Sequence, residues 1–302
     1  MDSKQILITG GTGFIGKHLC RRLLSDGYGV HVISRHPNEA AQFMPSGVQL
    51  YRDLDELDVT LAFDGVINLA GEPLAEGRWN AKRKQRFYDS RIKTTKRLYN
   101  YFVQAPRPPK ALINGSAIGY YGPHGDEPLN EQGAPEDCFS HQLCRDWEER
   151  AKSFASIGCR VCSVRIGVVL GAKEGALARM LPAFKFGLGG RLGTGQQWFS
   201  WVHIDDLVGI IVYALEHTDI RGPVNGTAPG GVTNGEFSRQ LAGVLHRPML
   251  LPMPESVARL LFGEMADELL LSGQRVVPEK IMNAGYEFQY PELKGALEAI
   301  LR

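Results

Sequence analysis

Eight residues near the N-terminus, Thr9-Gly10-Gly11-Thr12-Gly13-Phe14-Ile15-Gly16, satisfy two spacings at once. Gly10, Gly13 and Gly16 give GxxGxxG, while Gly11, Gly13 and Gly16 give GxGxxG. Glycines at these steps allow a tight turn and let backbone approach a pyrophosphate, and the last lets a helix pack closely on a strand. A helix opening here presents unpaired N–H groups and its positive dipole end to phosphates. The chemistry expected of Gly10, Thr12, Gly13, Phe14, Ile15 and Gly16 is therefore dinucleotide binding. A second position selects the nucleotide. An acidic residue at the end of the next strand would hold the ribose hydroxyl of NAD, whereas arginine suits the 2′-phosphate of NADP. Here the chain reads Ser34-Arg35-His36, with no carboxylate until Glu39. A guanidinium donates in a fork that matches phosphate. Ser34 and Arg35 are expected to bind the nucleotide, and the cofactor expected is NADP(H).

Such a turn works only between a strand and a helix. Gln5–Thr9 is an apolar run that reads as a buried strand, and Phe14–Ser25 follows with helical spacing of Ile15, Leu19, Leu23 and Leu24. Val30–Ser34, Val66–Ala70, Ala111–Asn114 and Cys159–Leu170 read as further strands. Ala81–Val103 and His141–Ser156 read as the helices between them. This alternation predicts an α/β protein: a Rossmann-type, doubly wound parallel sheet with a small α/β C-terminal substrate region. Val202–Leu215 reads as a helix entered from a strand, and Glu236–Leu245 and Glu255–Leu271 as later helices. We expect residues 1–170, with 200–222 returning to them, to bind the nucleotide. Residues 171–199 and 223–302 are expected to form the smaller substrate-binding region.

Composition narrows the classes. The chain has 35 glycines in 302 residues, well above the average of about 7 %. Ten lie in Gly187–Gly195 and Gly222–Gly235, where they can shape a cleft. Lys plus Arg is 34 and Asp plus Glu 33, so no global charge draws the chain to nucleic acid or a membrane. Five scattered cysteines do not form a disulfide framework. Cys159 and Cys162 fall on opposite faces of a strand, which argues against a redox or metal pair. No metal is expected. The first strand begins too early for a signal peptide, and no apolar run reaches about 18 residues. A cytoplasmic monomer or homodimer acting on a small molecule is the expectation.

Further motifs carry a resemblance. TGGTGFIG, the segment Asn68-Leu69-Ala70-Gly71, Asn114-Gly115-Ser116 with Tyr121-Gly122, RIGVVLG from Arg165 and WVHIDDL from Trp201 resemble the extended short-chain dehydrogenase/reductase superfamily. RWNAKRKQRFYDSRIKTTKRL, CRDWEERA, GQQWFSWVHIDDL and GEMADELLLSGQRVVPEKIMNAGYEFQYPEL are similar to its epimerase-family, SDR39U1-like branch. The resemblance covers essentially the whole chain. It implies cofactor contacts from Leu69, Ala70, Gly71, Arg91 and Ile166. It also implies a Tyr-x-x-x-Lys pair whose phenol is the acid/base, with the lysine lowering its pKa. Anchoring on Glu148, however, puts Ser140 and Cys144 at those positions. Ser116, Tyr120 and Cys144 are therefore the catalytic candidates. Lys84, two helical turns from Arg91, is the candidate for an anionic substrate, with Trp198 and His203 as further substrate-side residues. For Tyr120 packing, for Cys144 burial and for His203 a helix cap are the structural alternatives. The implied function is an NADP(H)-dependent oxidoreductase or epimerase of extended short-chain dehydrogenase type, on a small or nucleotide-linked substrate. A regulatory NADP(H)-binding protein without turnover is the second reading.

Overall fold

The apolar run Gln5–Thr9 forms the first strand, β1, of a seven-stranded sheet in the computed structural model, which describes residues 3–58 and 61–302. The others are β2 (Gly29–Ile33), β3 (Val48–Tyr51), β4 (Gly65–Asn68), β5 (Ala111–Ala117), β6 (Arg160–Ile166) and β7 (Gly222–Gly226). Their order is β7-β6-β5-β4-β1-β2-β3, and every pairing is parallel. A parallel sheet covered on both faces wants apolar residues at consecutive positions. In register, Leu7, Val66 and Leu112 point to one face, and Ile8, Ile67 and Ile113 to the other. The isoleucine face is covered by helices Phe14–Ser25 and Ile204–Glu216. The leucine face is covered by Thr94–Gln104 and Phe139–Lys152. This is the doubly wound Rossmann-type arrangement. Its order reverses between β1 and β4, which opens a crevice beyond the strands' carboxyl ends.

A second core packs Leu170, Leu177, Leu181, Phe184, Trp201, Phe237, Leu241, Leu293 and Leu297. They come from helices Gly175–Lys185, Asn234–Val244 and Leu293–Leu301 and the short strands near them. Chain separated by more than 100 residues thus closes into one cluster.

Three segments depart from the simple reading. Cys159–Leu170 is two strands, because Val168–Leu170 leaves the sheet after Gly167 and pairs with Trp201–His203. A Cβ at Gly167 would lie 2.6 Å from the Ser200 carbonyl, so only glycine lets the chain cross there. Ala81–Val103 is two helices, Ala81–Tyr88 and Thr94–Gln104, joined by a π-helical turn at Asp89–Lys93. Glu255–Leu271 stops at Phe262, because Gly263 takes φ +61°, and resumes as a second π-helical turn at Ala266–Leu270. Single π turns of this kind often mark functional positions. The strand Val48–Tyr51 was not expected; four residues, one exposed and three half-buried, give too little apolar pattern to read.

Candidate cofactor site and the cleft beside it

The glycine turn has a reason at each step. Gly10 adopts φ +71°, and a Cβ there would sit 2.5 Å from the Leu69 carbonyl oxygen. At Gly16 it would sit 2.4 Å from the Gly10 oxygen. Both glycines are demanded by packing within the protein. Gly13 differs: it is exposed, and its Cβ would meet nothing closer than 3.3 Å. Gly13 is the N-cap of helix Phe14–Ser25, with no side-chain cap and no acidic residue in the first turn. No side chain caps the first amides, and the backbone beside them is exposed at Gly13, an arrangement that suits a phosphate.

Flanking residues hold this turn. Phe14 packs on Gly171 and Gly175, where a Cβ would come within 2.5 and 2.9 Å of its ring. Lys17 of the same helix pairs with Glu174. Thr12 and Ile15 are half-buried. At the end of β2, Ser34 is buried and its hydroxyl accepts from the His36 amide at 3.3 Å. Arg35 is exposed and has no ion pair among the described residues, while Glu39 lies by His36 at 3.7 Å. Arg35 is thus available to an incoming phosphate.

Across the switch point the strand ends carry a buried polar ladder. The Thr9 hydroxyl donates to Asn68 Oδ1 (2.6 Å), and Asn68 Nδ2 donates to Thr95 Oγ1 (2.9 Å) and Asn114 Oδ1 (2.7 Å). Trp147 Nε1 donates to Thr95 Oγ1 (3.1 Å). The ladder ties β1, β4 and β5 to both helices of the leucine face. Leu69 and Ala70 follow β4 half-buried, and Gly71 is exposed.

Ser116, at the end of β5, is buried and donates to Glu148 Oε1 at 2.8 Å. Glu148 receives a two-pronged bond from Arg165, Nε at 2.9 Å and Nη2 at 3.0 Å. Burial opposes the charge on Arg165, but Glu148 more than offsets it, and the guanidinium pKa is raised. Arg165 Nη1 also donates to the Tyr121 hydroxyl at 3.0 Å, and Tyr121 lies 2.7 Å from Asn225 Oδ1. Burial pushes the Tyr121 phenol up to about 12. Tyr120 is half-buried, with the Arg165 guanidinium 3.4 Å from its ring centroid. Cys144 lies one helical turn from Ser140 and Glu148, close to Ser116. Burial, with the Glu148 carboxylate, pushes its thiol up to about 12, so it stays protonated at neutral pH. Ile166, half-buried, is in register with Ala117 and Gly226.

Residues 6–225 match the NAD dependent epimerase/dehydratase family. The chain belongs to this family. Residues 253–300 match a domain of unknown function, DUF1731. The epimerase family protein YfhF of Bacillus subtilis is 38 % identical over 98 % of this chain and 97 % of its own length. The crystal structure of human epimerase family protein SDR39U1, solved with NADPH, has a TM-score of 0.89 at 36 % identity and covers 98 % of both chains. These place the chain in the SDR39U1-like branch. A UDP-galactose 4-epimerase structure (TM-score 0.75, 19 % identity, 98 % of this chain and 97 % of that one) shares the fold.

In this family member the C-terminal segment reaches back to the cleft. Glu268, in the second π turn, accepts from the amides of Phe139 and Ser140, both at 3.1 Å, and from the Ser140 hydroxyl at 2.6 Å. It caps helix Phe139–Lys152 from 128 residues away in sequence. Lys84 donates to Glu264 at 2.5 Å and lies over the Phe139 ring, so it too meets this segment. Trp198 donates to Asp126 at 2.8 Å, with Arg275 over its ring. His203 is buried, stacks on Tyr290 and accepts from the Asp205 amide at 3.1 Å, which makes it the cap of helix Ile204–Glu216. The structure thus groups Ser116, Tyr120 and Cys144 at one end of β5, while Lys84, Trp198 and His203 have separate partners. Sequence reasoning missed the roles of Arg165 and Glu268. Arg165 sat in a motif read for its strand, and nothing local marks Glu268. Among the described residues no helix is long and apolar enough to cross a membrane.

Proposed function

We propose that the chain binds NADP(H) across the glycine turn and acts as an oxidoreductase or epimerase of extended short-chain dehydrogenase type on a small or nucleotide-linked substrate. The observation that carries this reading is the exposed Gly13 face at an uncapped helix N-terminus, set at the switch point with Arg35 free beside it. Binding of NADPH by the human relative supports it. Gly10 to Gly16 hold the pyrophosphate, and Ser34 and Arg35 the 2′-phosphate. Leu69, Ala70, Gly71, Arg91 and Ile166 line the remainder. When bound, the dinucleotide supplies or accepts a hydride.

The chain's own residues must then move a proton. The positions that resemble the tyrosine and lysine of the superfamily carry Ser140 and Cys144, so this site works without that pair. Cys144 keeps its proton, and Ser116 has committed its own to Glu148. Tyr120, held under Arg165, is the phenol to which we assign the transfer, with the Ser116–Glu148–Arg165 chain positioning it. Residues 171–199 and 223–302, with Lys84 and Trp198, form the substrate side.

Calorimetric titration tests the cofactor: NADPH binds at least about tenfold more tightly than NADH, and Arg35→Ala removes the difference. Equal binding of the two nucleotides by the unaltered chain overturns the assignment. A screen of aldehydes and ketones for NADPH oxidation, and of sugar nucleotides for epimers by chromatography because an epimerase regenerates its cofactor, tests turnover, and loss of that turnover in Tyr120→Phe tests the proton assignment. Tight NADPH binding with no turnover in any class supports the second reading, a regulatory NADP(H)-binding protein. The Ser140 and Cys144 substitutions are the observation that favours it.

A further inference from the structure

Arg91 is a buried cation that forms no ion pair with a carboxylate among the described residues. It projects from the first π-helical turn and is 9 % exposed. Its guanidinium donates to two backbone carbonyls, Phe87 at 3.2 Å and Glu72 at 3.1 Å. One face lies over the Trp147 ring, 5.2 Å from its centroid. The other lies on Gly71, where a Cβ would come within 2.9 Å of Cζ. The neighbouring charges are already taken. The Glu72 carboxylate pairs with Arg86 at 3.0 Å and reaches Arg83 at 4.0 Å. Glu148 pairs with Arg165, Glu268 takes three donors at a helix N-terminus, and the Cys144 thiol is neutral. A buried charge is ordinarily paired. Burial lowers the pKa of Arg91, only partly opposed by the nearby Glu72 carboxylate, and a guanidinium remains charged at neutral pH.

Its place gives the charge a use. A dinucleotide with its pyrophosphate on Gly13 and its adenosine beside Arg35 must run its other half over the carboxyl ends of β4 and β5. Gly71 follows β4, and Trp147 packs on Gly115 of β5, where a Cβ would lie 3.0 Å from its ring. Arg91, held between them, borders the nicotinamide half. That ring is positive when oxidised and neutral when reduced. We infer that the guanidinium of Arg91, clamped between Gly71 and Trp147, makes this site select NADPH over NADP+.

The inference rests on the cofactor reading above. At an effective dielectric near 20, a cation close to a nicotinamide disfavours its oxidised form by about tenfold or more in affinity. The bound couple is then more oxidising than the free one by about 30 mV per tenfold. The experiment is a pair of titrations, NADPH and NADP+, on four proteins. The unaltered chain prefers NADPH by at least about tenfold, and Arg91→Lys, which keeps the charge, retains most of that ratio. Arg91→Gln brings the ratio towards one. Gly71→Ala, which displaces the guanidinium without removing it, lowers the ratio without touching Arg91 itself. Equal affinities in the unaltered chain, or an unchanged ratio in both Arg91→Gln and Gly71→Ala, overturn the inference while leaving the cofactor reading intact. Binding of neither nucleotide overturns the cofactor reading itself.

Discussion

Glu148 and Arg165 show what a buried ion pair demands of its surroundings. Their side chains are 6 % and 3 % exposed, and Ser116, Tyr121 and the Glu131 carbonyl complete the hydrogen bonding. Removing one partner leaves the other charge buried and unpaired, which costs about 3–5 kcal/mol. Removing an accessory donor costs about 1 kcal/mol. Urea unfolding should therefore separate Glu148→Gln, with a large loss, from Ser116→Ala, with a small one. Comparable losses would mean that the pair does not bear the stability assigned to it. Nucleotide affinity adds a second readout, since Ser116→Ala leaves the glycine turn untouched and should bind NADPH as the unaltered chain does.

At the scale of elements, the helix caps link the cleft to pH. His203 caps helix Ile204–Glu216 through a ring nitrogen that must stay unprotonated to accept. Burial lowers its pKa, against the opposing pull of Asp205 and Asp206, and burial alone lowers that of His31. A histidine with a depressed folded pKa stabilises the fold fully above its unfolded pKa of about 6.5. That stability is lost as pH falls through the folded value. Melting temperature should therefore drop from pH 7 towards pH 5. Asparagine is also a good cap but does not titrate in this range. In His203→Asn the drop should be shallower, with the His31 part remaining, even if the lost Tyr290 stack lowers the whole curve. An unchanged slope would show that His203 does not carry this dependence. The Glu268 cap on helix Phe139–Lys152 belongs to the same scale. In Glu268→Ala two amides and the Ser140 hydroxyl lose their acceptor, and about 1–2 kcal/mol should follow by chemical denaturation.

For the whole molecule, Asp206 is the tie between its two cores. It is fully buried and accepts from the amides of Gln289 (2.8 Å) and Tyr290 (2.9 Å). That places the start of the last segment on the helix that covers the sheet, and Leu293–Leu301 then packs on helix Asn234–Val244. Asp206→Ala should release this segment before the sheet unfolds. Limited proteolysis should cut between residues 283 and 293 faster than in the unaltered chain, while the central fragment persists. Equal cutting rates would show that the tie is dispensable. Residues 264–268 meet Lys84 and Ser140 separately, so these contacts should outlast the loss of the Asp206 tie.

The nucleotide half was legible because its determinants are local. Gly10, Gly13 and Gly16 lie within one turn of chain, and the runs around Ile6–Ile8 and Val66–Ile67 carry their burial in consecutive side chains. The spacing treats Gly10, Gly13 and Gly16 alike, and only the structure distinguishes the exposed Gly13 from Gly10 and Gly16, whose absent side chains make room for neighbouring backbone. The network around Ser116 was not legible, because its partners meet across the sheet. Ser116 finds Glu148 32 residues on, and Ser140 finds Glu268 128 residues on. The π turn that carries Arg91 inward has no signature in DSRIK, which reads as ordinary helix. The sequence by itself determined the alternation of strand and helix, the glycine turn and the choice of arginine at its far end. These follow from backbone freedom and from the periodicity of nearby side chains. Tertiary structure alone decided which charges are paired, which thiol is silent and which buried guanidinium has no ion pair among the described residues. Those depend on burial and on neighbours that only folding brings together.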